Sequence, residues 1–158
     1  MEYKRLFIKN KRKYVLVDSY IYPLIKSIGW YIHHTGYAYA KFGQKNVQLH
    51  RIITMAPSDL CVDHKNQNKL DNRFDNLRLC HKGHNSFNMP RQKNNTSGFK
   101  GVSYHKHNKT WVAYVGKRSK GDGCYIGSFK TKKEAAQAYN QEAKKRYGKF
   151  AHLNNMES

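Results

Sequence analysis

Cysteine is scarce. Cys61, Cys80 and Cys124 are too few for a disulfide framework, and no two of them form a C-x-x-C pair. A reducing compartment suits such a chain. Long apolar runs are also missing: nowhere do about 18 hydrophobic residues follow one another, which excludes an ordinary membrane-spanning helix. Met1-Glu2-Tyr3-Lys4-Arg5 leads into no apolar stretch, so a secretory leader is not expected. Acidic side chains number 10 against 30 Lys and Arg, a net charge of +20 on 158 residues. A disordered basic tail would be poorer in core formers than this chain, which is 39% hydrophobic and 13% aromatic. The length suits one domain or two small ones.

The positive excess pervades the chain. Residues 1–62 hold 10 basic and 3 acidic side chains, residues 63–96 hold 7 and 3, and residues 97–158 hold 13 and 4. A polyanion contacted along most of the length is the natural partner, and nucleic acid comes first, because each neutralised phosphate releases condensed counterions. A membrane surface would require a polybasic helix with a strong apolar face, and none is evident.

Residues 3–17 carry β-formers and read as a hairpin turning near Asn10-Lys11. Residues 22–30 read as a short helix, with Pro23 early and Gly29 at its end. Tyr37-Ala38-Tyr39-Ala40 reads as a strand. Residues 47–55 fit helix or strand, with helix preferred. Two short strands follow, Leu60 to His64 and Asn76 to Cys80, joined by a loop of Asn, Gln, Lys and Asp. A brief helix ending at Pro90 completes a strand–loop–strand–helix unit. Residues 91–98 look like a basic linker. Beyond them, Phe99–His105, Thr110–Val115 and Cys124–Phe129 are strand-like. Thr131 and Glu134 then form a capping box for a helix with Ala135, Ala138, Tyr139, Ala143 and Tyr147 on one face and Gly148 past its end. Four regions result: 1–46, basic and β-rich; 47–90, the strand–loop–strand–helix core; 91–98, linker; and 99–154, three strands and a helix.

The chemistry concentrates at Asp63, His64, Asn76 and Asn85. Carboxylate and amide oxygens are hard ligands suited to Mg²⁺ or Mn²⁺. A histidine beside them can take a proton from water. Metal plus general base is a minimal site for phosphodiester hydrolysis. Cys61, Cys80, His81 and His84 could suggest zinc, but without a C-x-x-C pair the two cysteines read better as small core residues on paired strands.

Leu49-His50-Arg51, Val62-Asp63-His64-Lys65-Asn66, Leu70-Asp71-Asn72-Arg73, Asp75-Asn76-Leu77-Arg78 and Asn85 resemble the HNH endonucleases of phage and intron origin, in the homing variety whose motif ends in Asn. His64 to Asn76 is twelve residues and Asn76 to Asn85 is nine. The resemblance implies an α+β protein with a ββα-metal core. It implies that Asp63 and Asn85 hold one divalent cation, that His64 is the general base, and that Asn76 orients the loop and the His64 ring. The cation would stabilise the pentacovalent phosphate and the leaving 3′-oxygen, giving 5′-phosphate and 3′-hydroxyl ends. His50, Arg51 and Arg78 are candidates for phosphate contacts, although His50-Arg51 fits a solvated helical turn equally well.

Residues 97–154 carry a second resemblance. Ser97-Gly98-Phe99-Lys100-Gly101-Val102, Trp111-Val112-Ala113, Ile126-Gly127-Ser128-Phe129 and Glu134-Ala135-Ala136-x-Ala138-Tyr139 look like the plant ethylene-responsive-factor (APETALA-two) DNA-binding domain, which also occurs fused to HNH nucleases. That family implies a three-stranded antiparallel sheet on one helix, with the open sheet face entering the major groove. Alternation puts Trp111, Ala113 and Val115 toward the helix and Val112 and Tyr114 on the open face. Lys100, Ser103, His105, Tyr114 and Tyr125 fall where the family places DNA contacts, and Lys117 and Arg118 flank the second turn. Several of those positions are Arg or Trp in the plant proteins. Their replacement by Ser, His and Tyr weakens guanine reading by Arg, so no target sequence carries over.

The expected protein is a monomeric HNH homing endonuclease of double-stranded DNA, nicking one strand per encounter. It would use one Mg²⁺ or Mn²⁺ per active site, with no membrane or small-molecule substrate, in the cytoplasm of the host if phage-encoded. The main competing expectation is a catalytically inactive DNA-binding regulator built on the same modules.

Overall fold

The computed structural model describes residues 2–81, 88–92, 94–116 and 123–156. The architecture is α+β, in two compact units, Met1–Asn85 and Ser86–Ser158. Among the described residues no helix is long and apolar enough to cross a membrane.

The first unit opens with a hairpin, β1 (Tyr3–Ile8) and β2 (Lys13–Asp18), joined by a 3₁₀ turn over Lys9–Lys11. Strict alternation buries Leu6, Ile8, Val15 and Val17 on one face. The Asn10 side chain pins the turn to Ile32, accepting from its N–H and donating to its carbonyl, both at 2.9 Å. Helix α1 is a single turn, Tyr22–Ile25, shorter than the expected 22–30. It stops because Trp30 is recruited into a strand opposite Ala40, with its indole N–H donating to the Ile25 carbonyl. Strands β3 (Trp30–Ile32), β4 (Ala38–Phe42) and β5 (Lys45–Gln48) form an antiparallel sheet. The 47–55 segment divides: Val47 and Gln48 finish β5, and α2 runs from Leu49 to Thr54. Strands β6 (Cys61–His64) and β7 (Leu77–Cys80) pair antiparallel, with Cys61 opposite Cys80 and Asp63 opposite Arg78. One core of Leu6, Ile8, Val15, Val17, Trp30, Ala40, Leu49, Val62 and Leu77 unites these pieces. The brief helix expected after β7 lies almost wholly outside the described residues.

In the second unit β8 (Val102–His105), β9 (Thr110–Val115) and β10 (Cys124–Phe129) form an antiparallel sheet with β9 central. Helix α3 (Lys132–Tyr147) packs on it through Ala135, Ala136, Tyr139 and Ala143, against Val102, Ala113 and Val115. Both halves of the Thr131/Glu134 capping box form. Close packing demands Gly101: at φ +75, a Cβ there would lie 2.2 Å from the Tyr139 ring and 2.5 Å from the Tyr114 carbonyl oxygen. Val112 lies on the open face as expected, paired with Ser103 and Ser128, but is buried there, because it sits mid-strand in β9 between β8 and β10. The far end of the expected linker is structured. The Ser97 hydroxyl donates to the Phe99 and Val102 carbonyls, and the Asn95 side chain bonds Gly98 and Phe99, so this stretch folds onto the second unit.

Candidate nuclease site

Strand β6 ends in Asp63 and His64, 5% and 4% exposed. Their short pairing with β7 brings Arg78 directly across from Asp63. The guanidinium donates to Asp63 Oδ2 through Nε at 2.8 Å and Nη2 at 2.6 Å. Arg78, a phosphate-contact candidate, is thus engaged with the carboxylate expected to hold metal. This near-buried ion pair balances two desolvated charges.

The loop from Lys65 to Asn76 is a closed polar network. Asn76 Nδ2 donates to Asn66 Oδ1 and to the Asp71 carbonyl, and Asn76 Oδ1 accepts the Asn66 N–H. Asn66 Nδ2 donates to Asp71 Oδ2, while Arg73 forks onto both Asp71 oxygens at 2.8 and 2.7 Å. The Arg73 guanidinium holds the Asp71 carboxyl below its usual pKa. Asn76 therefore orders the loop. The amide at the His64 ring is instead the fully buried Asn72, whose Oδ1 lies 3.4 Å from His64 Nε2. An amide oxygen can only accept, so this contact favours the proton on Nε2.

The N-terminal hairpin carries that loop. The Leu16 N–H donates to the Leu70 carbonyl and the Asn72 N–H to the Leu16 carbonyl, each at 2.8 Å, making a short parallel bridge. Buried Asp18 accepts the Phe74 N–H at 2.7 Å. Leu16 and Asp18 of the first hairpin thus hold the loop that carries Asn72.

Three rings converge behind β6. His50, on α2, meets His64 edge-on at 5.3 Å between centroids, and Tyr37 packs on both. Burial, reinforced by His64 and Arg51, pushes the His50 pKa down to about 3. Burial also lowers His64, against the opposing pull of Asn72, Asp63 and Asp71. Both imidazoles are neutral at neutral pH. Arg51, expected near phosphate, donates instead to the carbonyls of Leu60, Ala56 and Pro57, closing the loop after α2.

Asn85, the second expected metal ligand, lies outside the described residues, as do His84, Lys117 and Arg118. Among the described residues no group of three or more His, Cys, Asp or Glu could hold a metal ion. The cysteines are free. A carboxylate such as Asp63 fits Mg²⁺ or Mn²⁺, which keep several waters and need only one or two carboxylates.

In the second unit Ser103, His105, Tyr114 and Tyr125 share the sheet face turned away from α3. The register shows why: Tyr114 pairs with Tyr125, Ser103 with Val112 and His105 with Thr110. A bulge between Tyr125 and Gly127 also brings Ser128 to this face, where its hydroxyl is 2.8 Å from that of Tyr125. Lys100 is half-buried: its ammonium donates to the Met89 carbonyl at 2.7 Å, and burial lowers its pKa to about 8.

Sequence motifs singled out Asp63, His64 and Asn76, which the structure places on one hairpin and its loop, but gave no sign of Tyr37, of His50 as a ring partner, or of Asp18. No local signal marks Tyr37 or Asp18, since their contacts span long sequence separations. Asn72 sat in the quoted motif but was not singled out.

The HNH endonuclease family matches residues 47–87. An uncharacterised HNH endonuclease of Acanthamoeba polyphaga mimivirus is 32% identical over 161 residues, covering 98% of this chain and 82% of the relative. Protein 3.8 of Escherichia phage T7 is 42% identical over 59 residues, which is 37% of this chain and 49% of that protein. Dehydration-responsive element-binding protein 2D of Arabidopsis thaliana is 43% identical over 60 residues, 38% of this chain and 29% of that protein. No solved structure gives a significant match. With the Asp-His pair on a short antiparallel hairpin and a relative matched along almost the whole chain, this protein belongs to the HNH endonuclease family.

Proposed function

We propose a metal-dependent, site-directed endonuclease of double-stranded DNA, of the homing type, acting as a monomer and nicking one strand per encounter. The observation that carries this reading is the adjacency of buried Asp63 to His64, an imidazole kept neutral by burial with its Nε2 turned to Asn72. His64 takes the proton of the attacking water. Asp63, with Asn85 by family resemblance, holds one Mg²⁺ or Mn²⁺. When bound, that ion supplies charge stabilisation at the phosphate and the leaving 3′-oxygen. The products carry 5′-phosphate and 3′-hydroxyl ends. The open face of the C-terminal sheet, through Ser103, His105, Tyr114 and Tyr125, holds the duplex.

EDTA should abolish cleavage and Mg²⁺ or Mn²⁺ should restore it. His64→Ala should slow cleavage by about 10²- to 10⁴-fold with DNA affinity intact; an equal loss of affinity would make His64 structural. On supercoiled plasmid, open circles should precede linear DNA. Linear product at the same rate would defeat the nicking assignment.

The Arg78–Asp63 ion pair favours a second reading, a DNA-binding regulator that does not cut, because a neutralised carboxylate has less charge to offer a cation. Mg²⁺ titration separates the two. A thermal shift present in the wild type and lost in Asp63→Asn supports the nuclease, and its absence in the wild type supports the regulator.

A further inference from the structure

Tyr37 reaches the site from outside residues 47–87, the segment that matches the family. It follows the turn between β3 and β4, and its ring packs 5.1 Å from His50 and 5.8 Å from His64 between centroids. Lys69 grips the same turn. Its ammonium lies 4.6 Å from the Tyr37 ring centroid and donates to the Thr35 carbonyl at 2.9 Å. Gly36, at φ +87, lets the turn pass against Lys69, whose Cδ would lie 3.4 Å from a Cβ there. The ring is therefore held by two imidazoles and a cation.

The hydroxyl is not used in this way. Among the described residues it makes no hydrogen bond, and its oxygen is not one of the buried unpartnered atoms, so it is open to solvent and to an incoming phosphate. Burial, and secondarily the Asp63 carboxylate, raise its pKa above the ordinary tyrosine value. It stays protonated, a donor only toward an anion, throughout the neutral range.

A ring packed on the proposed base, carrying an O–H that no described residue uses, can supply a transition-state hydrogen-bond donor. We infer that Tyr37 is a further catalytic residue, whose O–H donates to a non-bridging oxygen of the scissile phosphate while His64 deprotonates the attacking water. This deepens the nuclease reading and rests on it. No bond to Tyr37 forms or breaks. The hydrogen bond strengthens as negative charge gathers on the phosphoryl oxygens, which lowers the barrier without tightening ground-state binding.

Tyr37→Phe keeps the ring and removes only the donor. In the full-length protein with Mg²⁺, single-turnover cleavage should fall about 10- to 100-fold, with melting temperature and DNA Kd unchanged. A substrate with sulfur replacing one non-bridging oxygen at the mapped cleavage position adds a readout that packing would not move. The wild type should lose rate on one diastereomer, and Tyr37→Phe should lose that extra penalty. Wild-type cleavage by the variant, an unchanged sulfur penalty, or a rate loss matched by lost stability or affinity would each overturn the assignment. A wild-type protein that binds DNA yet cuts none under any cation would defeat the nuclease reading itself, and Tyr37 as a catalytic residue with it.

Discussion

Asp63, proposed to hold the cation, is 5% exposed, whereas Tyr125, proposed to meet the duplex, is 52% exposed. Asp63 sits in a unit where loop, hairpin and helix cross-bond around it, with Arg78 on its carboxylate and Asn72 on the neighbouring imidazole. Tyr125 stands on a sheet whose helix packs only the opposite face, and its ring touches Tyr114 and its hydroxyl Ser128. Bond-making chemistry rewards the first arrangement. A base of fixed tautomer in low dielectric has little reorganisation left to do when the phosphate arrives. Duplex binding rewards the second: phosphates and base edges are wet and polar, and side chains that adjust can meet them through water. Polar groups are thus costly to disturb in one unit and cheap to disturb in the other.

The sharpest way to break that contrast is at the ion pair. Arg78→Ala would take the guanidinium away from the buried Asp63 carboxylate, and should cost about 3–5 kcal/mol of unfolding free energy, read by denaturant titration. The ion pair of the second unit, Arg146 with Glu142 on α3, is the internal control. It is solvent-bathed, so Glu142→Gln should leave the transition where it was. Comparable losses from the two substitutions would mean that Asp63 is less isolated from water than its neighbours imply.

Acid should attack the first unit before the second. His50 is held neutral with its pKa near 3 against 6.5 in the unfolded chain, and His64 is displaced in the same direction. Between those values the unfolded chain binds protons that the folded chain refuses. Stability is therefore intact above pH 6.5 and falls by up to about 1.4 kcal/mol per pH unit below it for His50 alone, until the folded ring also protonates. His50→Leu cannot titrate. The wild-type-minus-variant difference in unfolding free energy should shrink steadily from pH 6.5 to 4.5, and parallel curves would remove His50 as the acid-sensitive group.

How much of this was legible differs between the units for the same reason that their stabilities should differ. The second unit follows from local signals. Thr131 and Glu134 announce a cap that forms, and period-two alternation put Ala113 and Val115 under the helix. Val112 keeps the face that alternation gave it but is buried there, since its burial depends on neighbours in other strands. In the first unit the motif gave Asp63 and His64 their place on a strand pair. Its surroundings are non-local: Leu16 to Asn72, Asp18 to Phe74, and Tyr37 to His64 join residues far apart in sequence, and no periodicity encodes such pairings. For Arg51 the sequence left a phosphate contact and a solvated helical turn equally open, and three carbonyls after α2, invisible to either reading, take its donors.

The mildest expected effect lies at Tyr125, and it tests the open side of the comparison. Half its surface is in water, and its ring covers Tyr114 without entering the core beneath α3. Tyr125→Ala should change unfolding free energy by no more than about 0.5 kcal/mol. Its consequence belongs in binding. DNA Kd should rise several-fold in fluorescence anisotropy, while the cleavage rate at saturating DNA stays at the wild-type value, because nothing in the Asp63–His64 network depends on it. A fall in that saturating rate would mean that the sheet face helps to align the scissile phosphate. An unchanged Kd would leave Tyr125 as a cover for Tyr114 and move the duplex contacts of this face to Ser103 and His105.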